Sequence, residues 1–236
     1  MNKQTIDDRL KEELGRKTPQ EILRWARDNF ENIGISVSMQ SGGIALIDMA
    51  KKNCLDLRVF TIDTGRLHEE TYMMMDKIRM AYGIEVEVYF PDQRKVEELV
   101  KKKGLYSFKE SVENRKECCY IRKVEPLQRA LSRLDAWATG LRRSESETRS
   151  NVSVIEVDKL HNNIAKLNPL ANWTDQELLD YVSKNNVPQH PLYSQGYTSI
   201  GCEPCTRAIV LGEDSRAGRW WWELTEKKEC GLHYSI

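Results

Sequence analysis

Short apolar runs alternate with amphipathic ones through the first hundred residues, and no other feature limits what this chain can fold into so strongly. Ile33-Gly34-Ile35-Ser36-Val37-Ser38-Met39, Leu57-Arg58-Val59-Phe60-Thr61-Ile62 and Val86-Glu87-Val88-Tyr89-Phe90 carry the branched and aromatic residues of strands. Helical spacing of apolar residues follows the first run through Ile44, Leu46, Ile47 and Met49, and the second from Leu67 to Tyr82. A further helix is predicted from about Asp92 to Lys103. Strands separated by helices pair in parallel through crossovers, which predicts an α/β fold: a parallel sheet flanked by helices on both faces. Ahead of them, Thr18-Pro19-Gln20-Glu21 reads as a helix start with a capping box, continuing through Ile22, Leu23, Trp25, Ala26 and Phe30. Beyond them the sequence predicts a helix over 115–134 despite Pro126, strands at 135–140 and 151–158, and a helix capped by Thr174-Asp175-Gln176-Glu177. From Pro188 turn residues dominate. One domain spanning 1–236, with an irregular C-terminal arm, is the simplest organisation.

Thirty-six basic residues balance 36 acidic ones, so a general nucleic-acid or membrane surface, which needs a basic excess, is not expected. The charged N-terminus predicts no secretory signal, and no run is long and apolar enough to span a bilayer. A reducing, cytoplasmic location is therefore expected, where paired cysteines bind metal or do redox work more often than they form structural disulfides.

Four of the six cysteines fall into two tight pairs, Cys118-Cys119 and Cys202-Glu203-Pro204-Cys205. Adjacent residues on a helix point about 100° apart, so Cys118 and Cys119 reach two metals of one multinuclear cluster more naturally than they chelate one zinc ion. One adjacent pair plus one C-x-x-C favours a 4Fe–4S cluster. Two buried thiols that merely touch, a thioredoxin-like redox pair and a zinc-stabilised binding module are the competing readings. Cys54 lies in a helical apolar run and is expected in the core. Cys230, six residues from the C-terminus, has Lys227, Lys228 and His233 nearby, cations that favour a reactive thiolate. Residues 211–236 are accordingly expected to form a mobile catalytic tail.

Anion binding is suggested at two levels. Ser38-Met39-Gln40-Ser41-Gly42-Gly43 forms a small-residue turn between a strand and its helix, without the Gly-Lys-Ser/Thr of a P-loop. Arg122-Lys123, Arg142-Arg143 with Arg149, and Arg216 with Arg219 each recur beside glycine-containing loops in a neutral chain, so they could converge on a polyanion.

Through Glu117-Cys118-Cys119-Tyr120-Ile121-Arg122-Lys123-Val124-Glu125-Pro126-Leu127 the chain closely resembles the assimilatory adenylyl-sulfate reductases of bacteria and plants. The likeness extends over Trp137-Ala138-Thr139-Gly140-Leu141-Arg142-Arg143, Gly201-Cys202-Glu203-Pro204-Cys205-Thr206, Arg216-Ala217-Gly218-Arg219-Trp220-Trp221-Trp222 and Glu229-Cys230-Gly231-Leu232-His233. The resemblance implies an adenine-nucleotide α-hydrolase-like fold and a 4Fe–4S cluster held by Cys118, Cys119, Cys202 and Cys205. It implies that Lys123 links the cluster to the substrate sulfate, and that Arg149, Arg216, Arg219 and His233 hold the phosphosulfate. Ser38, Thr64 and Gly140 would lie near the nucleotide. Cys230 would attack sulfur, expel AMP and become an S-sulfocysteine, from which thioredoxin or glutaredoxin releases sulfite. Where the family carries an acidic pair in the first loop, this chain has Ser41-Gly42-Gly43, which opens the 3′-phosphorylated substrate as an alternative. A tRNA-thiolating ATP pyrophosphatase shares the fold, but its Ser-Gly-Gly-x-Asp-Ser is broken here by Ile44-Ala45-Leu46. The oligomeric state is left open, a homo-oligomer included.

Overall fold

A computed structural model describes residues 6–223. Helices α1 (Asp8–Gly15) and α2 (Pro19–Asn29) precede strand β1 (Ile33–Ser36). There follow α3 (Ser41–Lys52), β2 (Arg58–Ile62), α4 (Glu69–Tyr82), β3 (Val86–Tyr89), α5 (Gln93–Lys103), α6 (Val112–Cys119), α7 (Glu125–Leu131) and β4 (Ala136–Ala138). Strands β5 (Ile155–Asp158) and β6 (Ile164–Leu167) and helix α8 (Asp175–Lys184) complete the regular structure. Past α8 the described chain is 3₁₀ turns and loops, as its turn-rich composition predicts.

The six strands lie in the order β3-β2-β1-β4-β6-β5. All neighbours pair in parallel except β5, which runs antiparallel to β6. That exception departs from the all-parallel expectation: β5 and β6 are joined by a short hairpin, with no room for a helical crossover. Along each strand the side chains alternate between two cores. Ile33 and Ile35 of β1, Val59 of β2 and Ala136 and Ala138 of β4 face the large cluster that includes Leu23, Leu46 and Leu178. Phe60 and Trp137 face the other way, onto Leu127 and Leu131 of α7. Both faces are therefore covered, as strands this apolar require.

From β1 the chain works outward through β2 and β3, then returns to place β4 on the other side of β1. Strand order reverses there, and in open α/β sheets ligands bind at the carboxyl ends of the strands flanking such a point. The residues expected as a turn, Ser41-Gly42-Gly43, instead form the first turn of α3. Their small size matters because a Cβ on Gly42 would fall 2.7 Å from the carbonyl oxygen of Gly140. Only bare backbone lets α3 start this close to the loop after β4. No helix among the described residues is long and apolar enough to cross a membrane.

Candidate active site

The helix predicted over 115–134 is interrupted: α6 passes at Tyr120 into a π-helical turn, Tyr120–Val124, before α7. Pro126 accounts for the interruption, since it has no N–H to give and its ring would strike the carbonyl of Arg122. The Glu125 N–H reaches back five residues to the Tyr120 oxygen. In this widened turn Arg122 and Lys123 are buried, directly after the cysteine pair.

The C-x-x-C forms a 3₁₀ turn, Glu203–Cys205. It is tied to the loop after β2 by Glu203 N–H donating to the Arg66 oxygen (2.9 Å), and to the C-terminal arm by Trp220 N–H donating to the Cys205 oxygen (3.1 Å). These ties bring all four paired cysteines to one cavity, bordered also by Arg66, Phe108, Arg115, Arg122, Lys123 and Trp220. The five described cysteines carry thiols, not disulfides. Among the described residues no three His, Cys, Asp or Glu side chains gather around a single ion-sized point.

Charge in this cavity is unbalanced. Burial, and next the neighbouring Arg66, push Arg122 below its ordinary range, while the Cys118 and Cys202 sulfurs push it back up. Arg122 donates to the Thr64 carbonyl at 2.7 Å, but its Nε is buried without a hydrogen-bond partner. Burial lifts the Cys205 thiol to about 12, with Cys202 adding to the rise and Lys123 and Arg219 opposing it. Burial also raises Cys118, against the pull of Arg122 and Arg66. Four thiols facing a surplus of buried cations are a donor set suited to a thiolate-ligated cluster of net negative charge. The residues therefore fit the group that the sequence suggests.

The other expected residues fall into two groups. Thr64 is buried, its hydroxyl 3.2 Å from the Sγ of Cys202, which borders the cavity. Arg219 is buried beside Gly201, where any Cβ would collide with the guanidinium. It donates to Ser199 Oγ at 3.2 Å, and its Nε has no hydrogen-bond partner. Further out, Ser38 is exposed and accepts from Gln40 Nε2 at 2.9 Å, while the Ser41 N–H at the start of α3 donates to Tyr193 Oη at 3.1 Å. Arg149 is buried and paired with Glu145, which also lies 3.4 Å from Arg142. Ser215 Oγ donates to the Glu145 carbonyl (3.4 Å), bringing the loop that carries Arg216 to the same place. The tail was expected from 211; within it Trp220 and Glu223 are buried. Cys230 and His233, the expected nucleophile and an expected phosphosulfate ligand, lie outside the described residues. Cys54 is exposed, not in the core, with a left-handed backbone (φ 53°) just past the end of α3.

Sequence reasoning missed Arg66, Phe108, Arg115 and Tyr193. Of these only Arg115, one turn ahead of Cys118 on the same helix, had a local signal.

The model of the phosphoadenosine phosphosulfate reductase domain matches residues 32–208. An adenosine 5′-phosphosulfate reductase from Burkholderia cepacia is 47% identical over 90% of this chain and 84% of its own length. A phosphoadenylyl-sulfate reductase from Candida auris, solved as a phosphate complex, superposes with a TM-score of 0.73 at 32% identity, covering 86% of this chain and 95% of that one. An FMN adenylyltransferase from Candida glabrata shares the fold alone, at TM-score 0.58 and 13% identity, covering 99% of this chain and 82% of that one.

Proposed function

This chain belongs to the phosphoadenosine phosphosulfate reductase family, and from that membership we propose that it reduces adenosine 5′-phosphosulfate to sulfite and AMP. The observation that carries the reading is the single cavity in which Cys118, Cys119, Cys202 and Cys205 meet Lys123 and Arg122. Cys118, Cys119, Cys202 and Cys205 would hold a 4Fe–4S cluster there, supplying a fixed charge that polarises the site without changing its own redox state. Lys123, in the π-helical turn, carries the cation between that cavity and the substrate sulfate. Arg149, Arg216 and Arg219, with His233, clamp the phosphosulfate, so that charge developing on the leaving phosphate is met as the bond breaks. Ser38 and Gly140 lie at the carboxyl ends of β1 and β4, where the nucleotide belongs.

In the reaction the Cys230 thiolate attacks sulfur, the bond from sulfur to the AMP phosphate oxygen breaks, and AMP leaves with that electron pair. The enzyme is left with an S-sulfocysteine. A thiolate of a dithiol partner such as thioredoxin or glutaredoxin then attacks the Cys230 sulfur. Sulfite departs, and the partner's second thiol resolves the mixed disulfide and regenerates Cys230.

The test is anaerobic purification with iron and sulfide analysis, then mass spectrometry after adding substrate. The tail peptide of the native protein should gain one SO₃, and Cys230→Ser should abolish both that gain and sulfite release while leaving iron content unchanged. Turnover retained in Cys230→Ser would remove the nucleophile assignment. Because a 32%-identical relative is a phosphoadenylyl-sulfate reductase, the assay runs both nucleotides in competition. Dominant turnover of the 3′-phosphorylated form would reverse the substrate assignment.

A further inference from the structure

Glu223, the last described residue, is nearly fully buried, and its carboxylate pairs with Arg115 in the middle of α6. The side chains of the pair are 7% and 4% exposed. Two partners 108 residues apart thus join the helix that ends in Cys118-Cys119 to the point where the C-terminal segment continues toward Cys230. A second feature lies against the first. The Arg115 guanidinium stacks on the Trp220 ring at 4.5 Å, and the Arg219 guanidinium on the same ring at 4.8 Å. Trp220 has a left-handed backbone (φ 45°) although it is not glycine. A bulky residue stays in that conformation only where its surroundings over-determine it. Here they do: two cations stack on the ring, the Trp220 backbone N–H donates to the Cys205 oxygen, and the Trp220 carbonyl accepts from the Glu223 N–H at 2.9 Å.

We propose that Arg115, Trp220 and Glu223 form a positioning device that fixes the place and direction of the backbone at Glu223, from which the sequence continues toward Cys230. The inference rests on Cys230 being the nucleophile, as proposed above. Trp220 turns the chain sharply beside the cysteine cavity, and the ion pair holds the end of that turn on α6. Six residues then separate Glu223 from Cys230. A chain of that length reaches no more than about 25 Å, so a fixed root limits where the thiolate can be and raises its concentration at the bound sulfur. None of the three residues needs to touch the reacting atoms. Arg115 and Trp220 also border the cavity, so the device refers the tail to the same frame that holds the clamp residue Arg219.

The experiment compares the native protein with Glu223→Gln, which keeps the shape and removes the charge, and with Arg115→Lys, which keeps the charge and loses the planar stack. Three quantities are read: the single-turnover rate of SO₃ addition to the tail peptide, AMP affinity by calorimetry, and the rate of trypsin cleavage after Lys227 and Lys228. Glu223→Gln should slow SO₃ addition tenfold or more, leave AMP affinity within twofold, and speed cleavage. Arg115→Lys should fall between it and the native protein. An SO₃-addition rate within twofold of native in Glu223→Gln overturns the proposal, as does a loss of AMP affinity that accounts for the whole rate change. If the native protein takes up no SO₃, the failure is that of the proposed reaction. The trypsin comparison then decides the anchor by itself, and unchanged cleavage overturns it.

Discussion

His190 is 1% exposed and sits between α4 and the turn that follows it. Its Nδ1 accepts from the Leu192 N–H at 3.3 Å, so the proton is on Nε2, which is 3.1 Å from Thr71 Oγ1. Burial first, and His68 second, lower its pKa to about 4. A histidine whose folded pKa lies below its unfolded value near 6.5 stabilises the fold as the neutral ring. That contribution is complete above pH 6.5, shrinks as pH falls from 6.5 toward 4, and is gone below. Its size is on the order of 3 kcal/mol. Urea unfolding of the native protein and of His190→Asn at pH 7.5 and at pH 4.5 checks this. The stability gap between them should narrow by most of that amount at the lower pH, and a gap independent of pH would show that His190 titrates as it does in the unfolded chain. At this scale the sequence was legible where residue type and spacing suffice, as for the four cavity cysteines. The pair Thr64 and Cys202, 138 residues apart, and the pair Arg115 and Glu223 left no trace in it, because nothing local to either residue names its partner.

The start of α3 shows how one element depends on another. A Cβ on Gly140 would stand 2.5 Å from the Gly42 carbonyl carbon and 2.6 Å from the Gly43 nitrogen, and backbone cannot swing aside as a flexible side chain can. Gly140→Ala should therefore push the first turn of α3 off the loop after β4, at about 1–3 kcal/mol of stability. It should also weaken AMP binding at least tenfold, because the displaced turn lies at the carboxyl end of β1. Calorimetry and a thermal melt check both effects, and native AMP affinity with a native melting point would mean the contact is slack. The helices with capping boxes, α2 and α8, begin where Thr18 and Thr174 predict. Strand β6 was not visible, since Ile164-Ala165-Lys166-Leu167 puts a lysine in mid-strand. Tertiary context admits it: Lys166 lies over the Trp137 ring at 5.6 Å and pairs with Glu156 at 2.9 Å. Helix α1 was also missed, being mostly charged with only Leu14 buried. The helix over 115–134 was legible in extent but not in its widened turn, which depends on how Pro126 meets the carbonyl one turn earlier.

On the scale of the whole molecule, the cavity is assembled from five separated stretches: Arg66 after β2, Phe108 before α6, α6 with its π-helical turn, Cys202 to Cys205, and Trp220. None of these could hold four cysteines alone, so the fold is what makes them a single donor set. Left to themselves they oppose the fold slightly, because Arg66 and Arg122 repel each other under burial and the Cys205 thiol is held neutral at about 12. A group that accepts four thiolates and answers the arginines reverses that balance, and its binding free energy then becomes folding free energy of the parts that line the cavity. The expected consequence is uneven protection. Iron-loaded protein should exchange amide hydrogens at least tenfold more slowly than iron-stripped protein over 115–124 and 201–206, and should melt several degrees higher. Strand β3 and helix α5, which contribute no residue to the cavity wall, should exchange alike in both forms. Equal exchange over 115–124 with and without iron would mean that the cavity is fully formed by the polypeptide and that the cysteines do not couple it to a metal.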